Sequence, residues 1–297
     1  MKKELIVSAL VAVVISVAIG FGVSSKCAGK GSAAVTAVTE PVSAYARIMQ
    51  SGKIRVGYLN VTGGFNIDPK TGEKTGIFVD ILQAMAKNMG LQVEYVEEVG
   101  WGTMIAGLQT HRYDMIASPV WPNSSRAKQT TFSNPVYYSA IGIWVRQDEA
   151  RFTPEAGWAC LNDPNIKIAA IDGSTGEKIA QTQFPKAKLV TYPETAGEGQ
   201  LYLDVSSSKV DAFFEEPAKG ALYVKNNPGK VKNIAADHPV KVFANVFMLP
   251  GSEYRLKEML DTALAEVENS GFVDRILQKY EPAPNVYYRI ASPYRTK

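Results

Sequence analysis

The chain has 297 residues, 46% hydrophobic and 21% charged, with a net charge of +3. Four lysines and one glutamate fall in the first 39 residues, so the remainder balances 28 basic against 28 acidic residues. This is a globular composition long enough for two lobes of ordinary size, and a neutral body excludes the basic footprint of a nucleic-acid binder.

The elements follow in chain order. Lys2 and Lys3 precede an uncharged run from Leu5 to Val23. The run exceeds the roughly 7–15-residue core of a secretory signal. It is just long enough to span a bilayer, which takes about 17–25 residues. The leading lysines favour an inside N-terminus and an exported body. Residues 1–24 are therefore expected to be a signal peptide or a transmembrane anchor, and Val23-Ser24-Ser25 offers a cleavage site. Residues 25–43, rich in Gly, Ala, Ser and Thr, read as a flexible tether. Cys27 is preceded by Lys26, with Ser24 three before it, so a lipoprotein modification is not expected.

Ile54 to Tyr58 reads as a strand, and Asp68-Pro69-Lys70-Thr71-Gly72 as the turn of a hairpin. A helix is predicted over 78–89, with Gly90 as its stop. A strand follows over 91–96, then a short amphipathic helix through Trp101, Met104, Ile105 and Leu108. The phrase Arg112-Tyr113-Asp114-Met115-Ile116-Ala117-Ser118-Pro119 comes next. It has a partner in Lys209-Val210-Asp211-Ala212-Phe213-Phe214-Glu215-Glu216-Pro217. Each is a basic residue, an Asp, a short apolar run and a Pro, the pattern of a buried parallel strand. Before the second phrase the same scheme recurs: a strand over 166–171, a helix over 174–184, a strand over 189–192 and a helix over 197–206. The fold class expected is α/β, two Rossmann-like lobes whose strand ends face one cleft. Two β-rich stretches, Ser139–Arg146 and Val242–Leu249, are the expected hinge crossings. The lobes are set at 44–144 with 247–281, and at 145–246. A helix over 252–267 should pack back on the first lobe, and 282–297 is an extended tail of unassigned role.

Arg126 is the sharpest candidate for binding. The segment Trp121-Pro122-Asn123-Ser124-Ser125-Arg126 looks like a loop entering a helix, with Asn123 or Ser124 as cap. A cation in a first helical turn opposes the dipole, which makes sense if it clamps an anion through two parallel hydrogen bonds. Gly173-Ser174-Thr175-Gly176-Glu177 opens a helix with a capping box between Ser174 and Glu177. Its free N–H groups also attract an anion. Glu215 and Glu216 end the second repeated strand, and only one of two adjacent carboxylates can face the cleft and hold an ammonium group. Trp101, Trp121 and Phe65 could provide flat walls or cation–π contacts. The two histidines, His111 and His238, lack metal-ligand spacing. No metal and no cofactor is expected, since no cofactor motif is present.

In order and spacing these residues resemble the bacterial extracellular solute-binding proteins of family 3, the amino-acid receptors of ABC importers. The cues are Ile54-Arg55-Val56-Gly57, Gly76 with Asp80-Ile81-Leu82, Tyr113-Asp114, Arg126-Ala127-Lys128 with Phe132 to Tyr138, Gly173 to Gly176 and Val210-Asp211-Ala212, across roughly residues 50–281. The resemblance implies the periplasmic-binding-protein-like II fold and a monomeric, extracytoplasmic receptor partnered by a membrane permease. It implies that Arg126 binds an α-carboxylate with help from Ser174 and Thr175, and that Ser118 is a cleft residue near Arg126. It further implies that Glu216 takes the α-ammonium and Trp101 forms an aromatic wall. The chain departs from the family where Leu59, Thr62 and Gly63-Gly64-Phe65 replace an acidic residue and an aromatic, where Phe78 replaces an Asp, and where Trp121 replaces a small hydroxyl residue. An amino-acid-like small carboxylate is therefore expected, with Lys, Arg and His disfavoured. The alternatives are a cyclohexadienyl or arogenate dehydratase on the same fold, with Glu216 as general acid, or a ligand-sensing module.

Overall fold

The computed structural model describes residues 43–152 and 158–290. The expected signal or anchor at 1–24, Cys27 and nearly all of the tether lie outside the described residues. Among those described, no helix is long and apolar enough to cross a membrane.

One path of strands runs through the whole body. In the first lobe, β1 (Lys53–Tyr58) is central, flanked by β4 (Gln92–Glu98) and β5 (Met115–Val120), all parallel. In the second lobe, β8 (Lys167–Ile171) is central, flanked in parallel by β9 (Lys188–Tyr192) and β10 (Ala212–Glu215). Between them lie the crossings, β7 (Tyr137–Arg146) and β12 (Lys241–Pro250), antiparallel to each other. The order is β4-β1-β5-β12-β7-β10-β8-β9. Each crossing is antiparallel to the last strand of one lobe: β12 to β5, and β7 to β10. The two halves thus share one topology, and the repeated phrase is the third strand of each.

The Asp of that phrase has a structural job in both copies. Asp114 Oδ2 accepts from the Arg55 N–H at the start of β1 at 2.9 Å, and Asp211 Oδ2 accepts from the Lys167 N–H at the start of β8 at 2.8 Å. Each therefore fixes where a central strand begins against its neighbour. Asp114 is 1% exposed and also holds the guanidinium groups of Arg47 and Arg55 at 2.8 and 2.9 Å. Asp211 is paired with Arg151.

Helices cover the sheet. Helix α2 (Ile77–Met89) ends at Gly90 in the left-handed conformation, φ +68°, as its sequence predicts. It presents Ile77, Phe78, Ile81, Leu82 and Met85 to a core shared with Leu256, Leu260 and Leu264 of α8 (Tyr254–Asn269) and with Val273 and Leu277 of α9 (Phe272–Tyr280). The C-terminal helices therefore pack on the first lobe, and the turn between them is made at Gly271, φ +68°. The hairpin also forms: β2 (Asn66–Ile67) pairs with β3 (Lys74–Thr75), and Asp68 Oδ1 accepts from the Lys70 and Thr71 N–H groups. In the second lobe, α5 (Thr175–Gln183) packs Ile179 and Ala180 against Ile168, Ala212 and Phe214. On the other face of that sheet, α6 (Glu198–Ser206) contributes Leu201, Tyr202 and Val205. The tail residues Tyr287–Tyr288 form β13, antiparallel to β7.

Replacing Asp114 with Ala removes one acceptor shared by two arginines and a strand N–H. Asp114→Ala is expected to lower stability by roughly 2–3 kcal/mol, the scale of hydrogen bonds to a charged group. Denaturant unfolding checks this, and a midpoint equal to the wild type's would remove the role assigned to the repeated Asp.

Candidate functional site

On the first lobe the site grows from the end of β5. Trp121 to Asn123 leads into α4 (Ser124–Ala127), a single turn. Asn123 caps it, its Oδ1 accepting from the Arg126 N–H at 2.9 Å. A single turn has no substantial dipole, so the electrostatic opposition expected for Arg126 does not apply. Its position is explained instead by two contacts. Arg126 Nη1 donates to the Trp121 carbonyl at 2.9 Å, and the guanidinium lies 5.6 Å from the Trp101 ring centre. Trp101 is itself 42% exposed, so it is a platform at the surface of the lobe, not a core residue. Partial burial lowers the Arg126 pKa, and among the described residues no carboxylate pairs with it.

Of the other residues expected at the cleft, Phe65 and Ser118 are buried and Trp121 is half-covered. Phe65 is 0% exposed, stacked on Tyr58 at 4.7 Å and edge-on to Tyr95. It belongs to the core, because the Val61↔Phe65 bridge folds its loop inward. Ser118 is equally sealed. Its hydroxyl accepts from the Leu59 N–H at 2.8 Å and donates to the Leu59 carbonyl at 3.0 Å, latching β5 to the end of β1. Trp121 is half-buried, one face stacked on Phe243 of the returning crossing at 4.5 Å. Its Nε1 donates to Asn245 Oδ1 at 2.9 Å, and Asn245 Nδ2 donates to Ser139 Oγ at 2.9 Å. Trp121 therefore ties the Arg126 loop to both crossings.

On the second lobe, Ser174 caps α5, its Oγ accepting from the Glu177 N–H at 3.1 Å. Glu177 reaches back one residue further than a standard capping box, accepting from the Gly173 N–H at 2.6 Å. The N–H groups of Thr175 and Gly176 have no acceptor among the described residues. A Cβ at Gly176 would sit 3.2 Å from the Phe214 carbonyl, so this helix start lies directly beside the end of β10. There the two glutamates separate as their adjacency requires. Glu215 is buried and folds back, its Oε1 accepting from the Glu216 N–H at 2.8 Å and lying 3.4 Å from Lys219 Nζ. Glu216 precedes Pro217, the first residue of α7 (Pro217–Asn226), and Ala218 packs in one cluster with Tyr137, Phe247 and Tyr287. Glu216 therefore stands where the second lobe meets the crossings.

The charges here do not balance. Lys219 Nζ bonds Glu198 Oε1 at 2.5 Å and is the only cation bridging Glu198 and Glu215 among the described residues. Burial works against the Lys219 ammonium, but Glu215, Glu198 and Glu216 outweigh it and hold its proton on. Burial pushes the Glu216 carboxyl up to about 7, with Lys219 opposing and Glu198 adding to the rise. Burial likewise raises Glu215. Three carboxylates share one ammonium, so the cluster accommodates a further positive charge. Sequence reasoning missed Lys219 and Glu198. Lys219 was accessible as the i+4 partner of Glu215 on a helix that Pro217 announces. Glu198 comes from α6 and has no local signal.

Residues 54–283 match the sequence profile of the bacterial extracellular solute-binding proteins, family 3. A cyclohexadienyl dehydratase of Pseudomonas aeruginosa is 24% identical over 239 residues, covering 79% of this chain and 84% of its own. A probable amino-acid ABC transporter-binding protein of Haemophilus influenzae is 30% identical over 213 residues, covering 70% and 76%. The crystal structure of an ancestral amino-acid-binding protein, AncCDT-1, described as a precursor of cyclohexadienyl dehydratase, superposes with a TM-score of 0.67 at 26% identity. It covers 80% of this chain and 99% of its own.

Because the folded-state pKa of Glu216 is raised above its ordinary value of 4.5 to about 7, the native state binds this proton more tightly than the unfolded one. Its contribution is fully present below about 4.5 and is lost as pH rises toward about 7. Glu216→Gln is expected to melt higher than the wild type at about pH 8, with the gap closing toward about pH 5. Scanning calorimetry across that range checks the sign, and a gap independent of pH would contradict it.

Proposed function

The chain belongs to the bacterial extracellular solute-binding proteins of family 3, and from that premise we propose that it captures an amino-acid-like carboxylate between its two lobes and presents it to an ABC-importer permease. One observation carries the reading. Among the described residues, the first lobe offers a guanidinium that no carboxylate pairs with, and the second offers buried carboxylates around one lysine. A zwitterion supplies both missing partners. In this proposal Arg126 clamps the α-carboxylate over Trp101, and Ser174 with the free N–H groups of Thr175 and Gly176 contributes from the opposite lobe. Glu216 receives the α-ammonium and gives up its proton as it does so. The lobes are taken as 44–144 with 247–281, and 145–246, and closure bends β7 and β12. Trp121, stacked on the returning crossing and covalently next to the Arg126 loop, couples ligand capture to that bend. Residues 1–24 would direct export or hold the body at the membrane surface, and the tether would set its reach.

A second reading has its own support. A carboxyl held protonated near neutral pH is equipped to act as a general acid, and one relative is a cyclohexadienyl dehydratase. On that reading Glu216 protonates the hydroxyl of a prephenate- or arogenate-like substrate, which leaves as water while the ring carboxylate departs as carbon dioxide and its bonding pair aromatises the ring. Turnover of either compound that disappears in Glu216→Gln would replace the receptor reading, whereas binding of amino acids without turnover supports it.

Arg126→Ala is expected to remain folded and to lose about 2–5 kcal/mol of binding free energy, the cost of removing one partner of a desolvated charge pair. Calorimetry against the amino acid that most stabilises the wild type measures this directly. Unchanged affinity would reject Arg126 as the clamp. Wild-type affinity is also expected to fall by up to about tenfold per pH unit below about pH 7, where Glu216 must first lose a proton. A flat profile from about pH 5 to about pH 8 would reject Glu216 as the ammonium site.

A further inference from the structure

The C-terminal tail places an aromatic side chain at the same junction. Tyr287 lies beyond residues 54–283 that match the family, yet it is only 4% exposed. Three contacts hold it there. Its backbone joins β7 as an extra strand, with Tyr287 opposite Ser139 and Tyr288 opposite Tyr138. Its ring meets Tyr137 edge-on at 5.0 Å. Its N–H donates to Glu281 Oε1 at 3.1 Å, and the same carboxylate takes a two-pronged grip from Arg289 at 2.8 and 2.7 Å. The segment is thus clamped on both sides of Tyr287.

The hydroxyl end abuts the Gly63 loop of the first lobe. A Cβ built on Gly63 would lie 2.7 Å from Tyr287 Oη, so the phenol occupies the space that a side chain at position 63 would fill. Gly63 has φ +79°, and its loop is fastened to the start of α2 by the Ile77 and Phe78 N–H groups. It is therefore a fixed, side-chain-free surface against which the phenol rests. The Tyr287 ring shares a core with Ala218, two residues beyond Glu216, whose charge adds to burial in raising the phenol's pKa. No hydrogen bond engages its hydroxyl among the described residues. Nor is that hydroxyl sealed away like the partnerless one of Tyr202. A phenol set against a bare loop, with donor and acceptor capacity unspent, is placed to meet a third molecule.

We propose that Tyr287 is a specificity-determining wall of the ligand cleft, supplied by the C-terminal strand in place of a side chain at Gly63, and that it contacts the side chain of the bound amino acid. This rests on the receptor reading given above. The tail then has two roles at once: it stiffens the crossing ribbon with a third strand and it sets which side chains fit. A ring edge-on to Tyr137 gives a firm limit to length, and the hydroxyl favours a ligand with a polar group at its tip.

The test uses the full chain and the twenty L-amino acids as probes, first by thermal shift and then by calorimetry. Wild type, Arg126→Ala, Tyr287→Phe and Tyr287→Ala are compared. Tyr287→Ala is expected to weaken the preferred amino acid by up to about tenfold, the scale of one well-placed aromatic contact, and to move the ranking toward bulkier side chains. Tyr287→Phe keeps the ring packing, so it decides the matter if the Ala variant fails to fold. It is expected to lose discrimination between polar and apolar ligands of similar size. Identical rankings and affinities in wild type and Tyr287→Phe, and in Tyr287→Ala where that folds, overturn the proposal while leaving the receptor reading intact, provided Arg126→Ala abolishes binding. Binding that survives Arg126→Ala, or a wild type that no probe stabilises, overturns the receptor reading and the Tyr287 assignment with it.

Discussion

The structure depends on a charge mismatch held in two halves. Lys219 bridges Glu198 and Glu215, and burial raises the carboxyls of Glu215 and Glu216 beside that single ammonium. On the first lobe Arg126 stands over the Trp101 ring, and among the described residues no carboxylate pairs with it. Neither arrangement is at rest alone. An isolated carboxylate in apolar surroundings solves its problem by keeping its proton, and an isolated guanidinium by leaning on carbonyls and aromatic faces, as Arg126 does with Trp121 and Trp101. A ligand bearing both charges removes the tension on both sides, and does so only if the two lobes approach one another. Electrostatics and closure are one event in this account.

The frame that holds these groups is built from hydrogen bonds to backbone, not from the charged residues of the site. Asp114 and Asp211 set the two central strands against their neighbours, and the Ser118 hydroxyl ties two strand ends together. The crossings carry their own buried polar network through Trp121, Asn245 and Ser139. Such a network specifies one geometry where every member is satisfied. It also joins the Arg126 loop to both crossings, the strands that the proposed closure would bend.

Much of this was legible in the sequence. The repeated phrase identified the third strand of each half, because a buried parallel strand needs an unbroken apolar run and its Asp recurs for a backbone reason. Gly90 and Asp68 to Gly72 announced a helix end and a turn by local chemistry alone. Ser174 declared its cap. The walls were less legible. Phe65 and Ser118 look the same in sequence whether they face a cleft or a core, and only the fold of the 61–65 loop and the latch to Leu59 decide. Trp121 beside Pro122 reads as a loop residue, and the face that Phe243 covers comes from more than a hundred positions away. Lys219 could have been found as a helical neighbour of Glu215, but Glu198 meets it, and Tyr287 meets β7, by tertiary packing that no local pattern encodes. The helix at Phe272–Tyr280 was hidden because Gly271 breaks one amphipathic stripe into two.

The most direct test of the central claim is a count of protons. Calorimetry of the best-binding amino acid at about pH 6.5, repeated in two buffers of different ionisation enthalpy, reports how many protons leave the protein on binding. If Glu216 surrenders its proton to receive the ligand's ammonium group, a fraction of one proton is released at about pH 6.5, and the release vanishes at about pH 8.5 and in Glu216→Gln. Binding that is tight but moves no proton at the lower pH would mean that the acidic cluster is not where the positive end of the ligand goes.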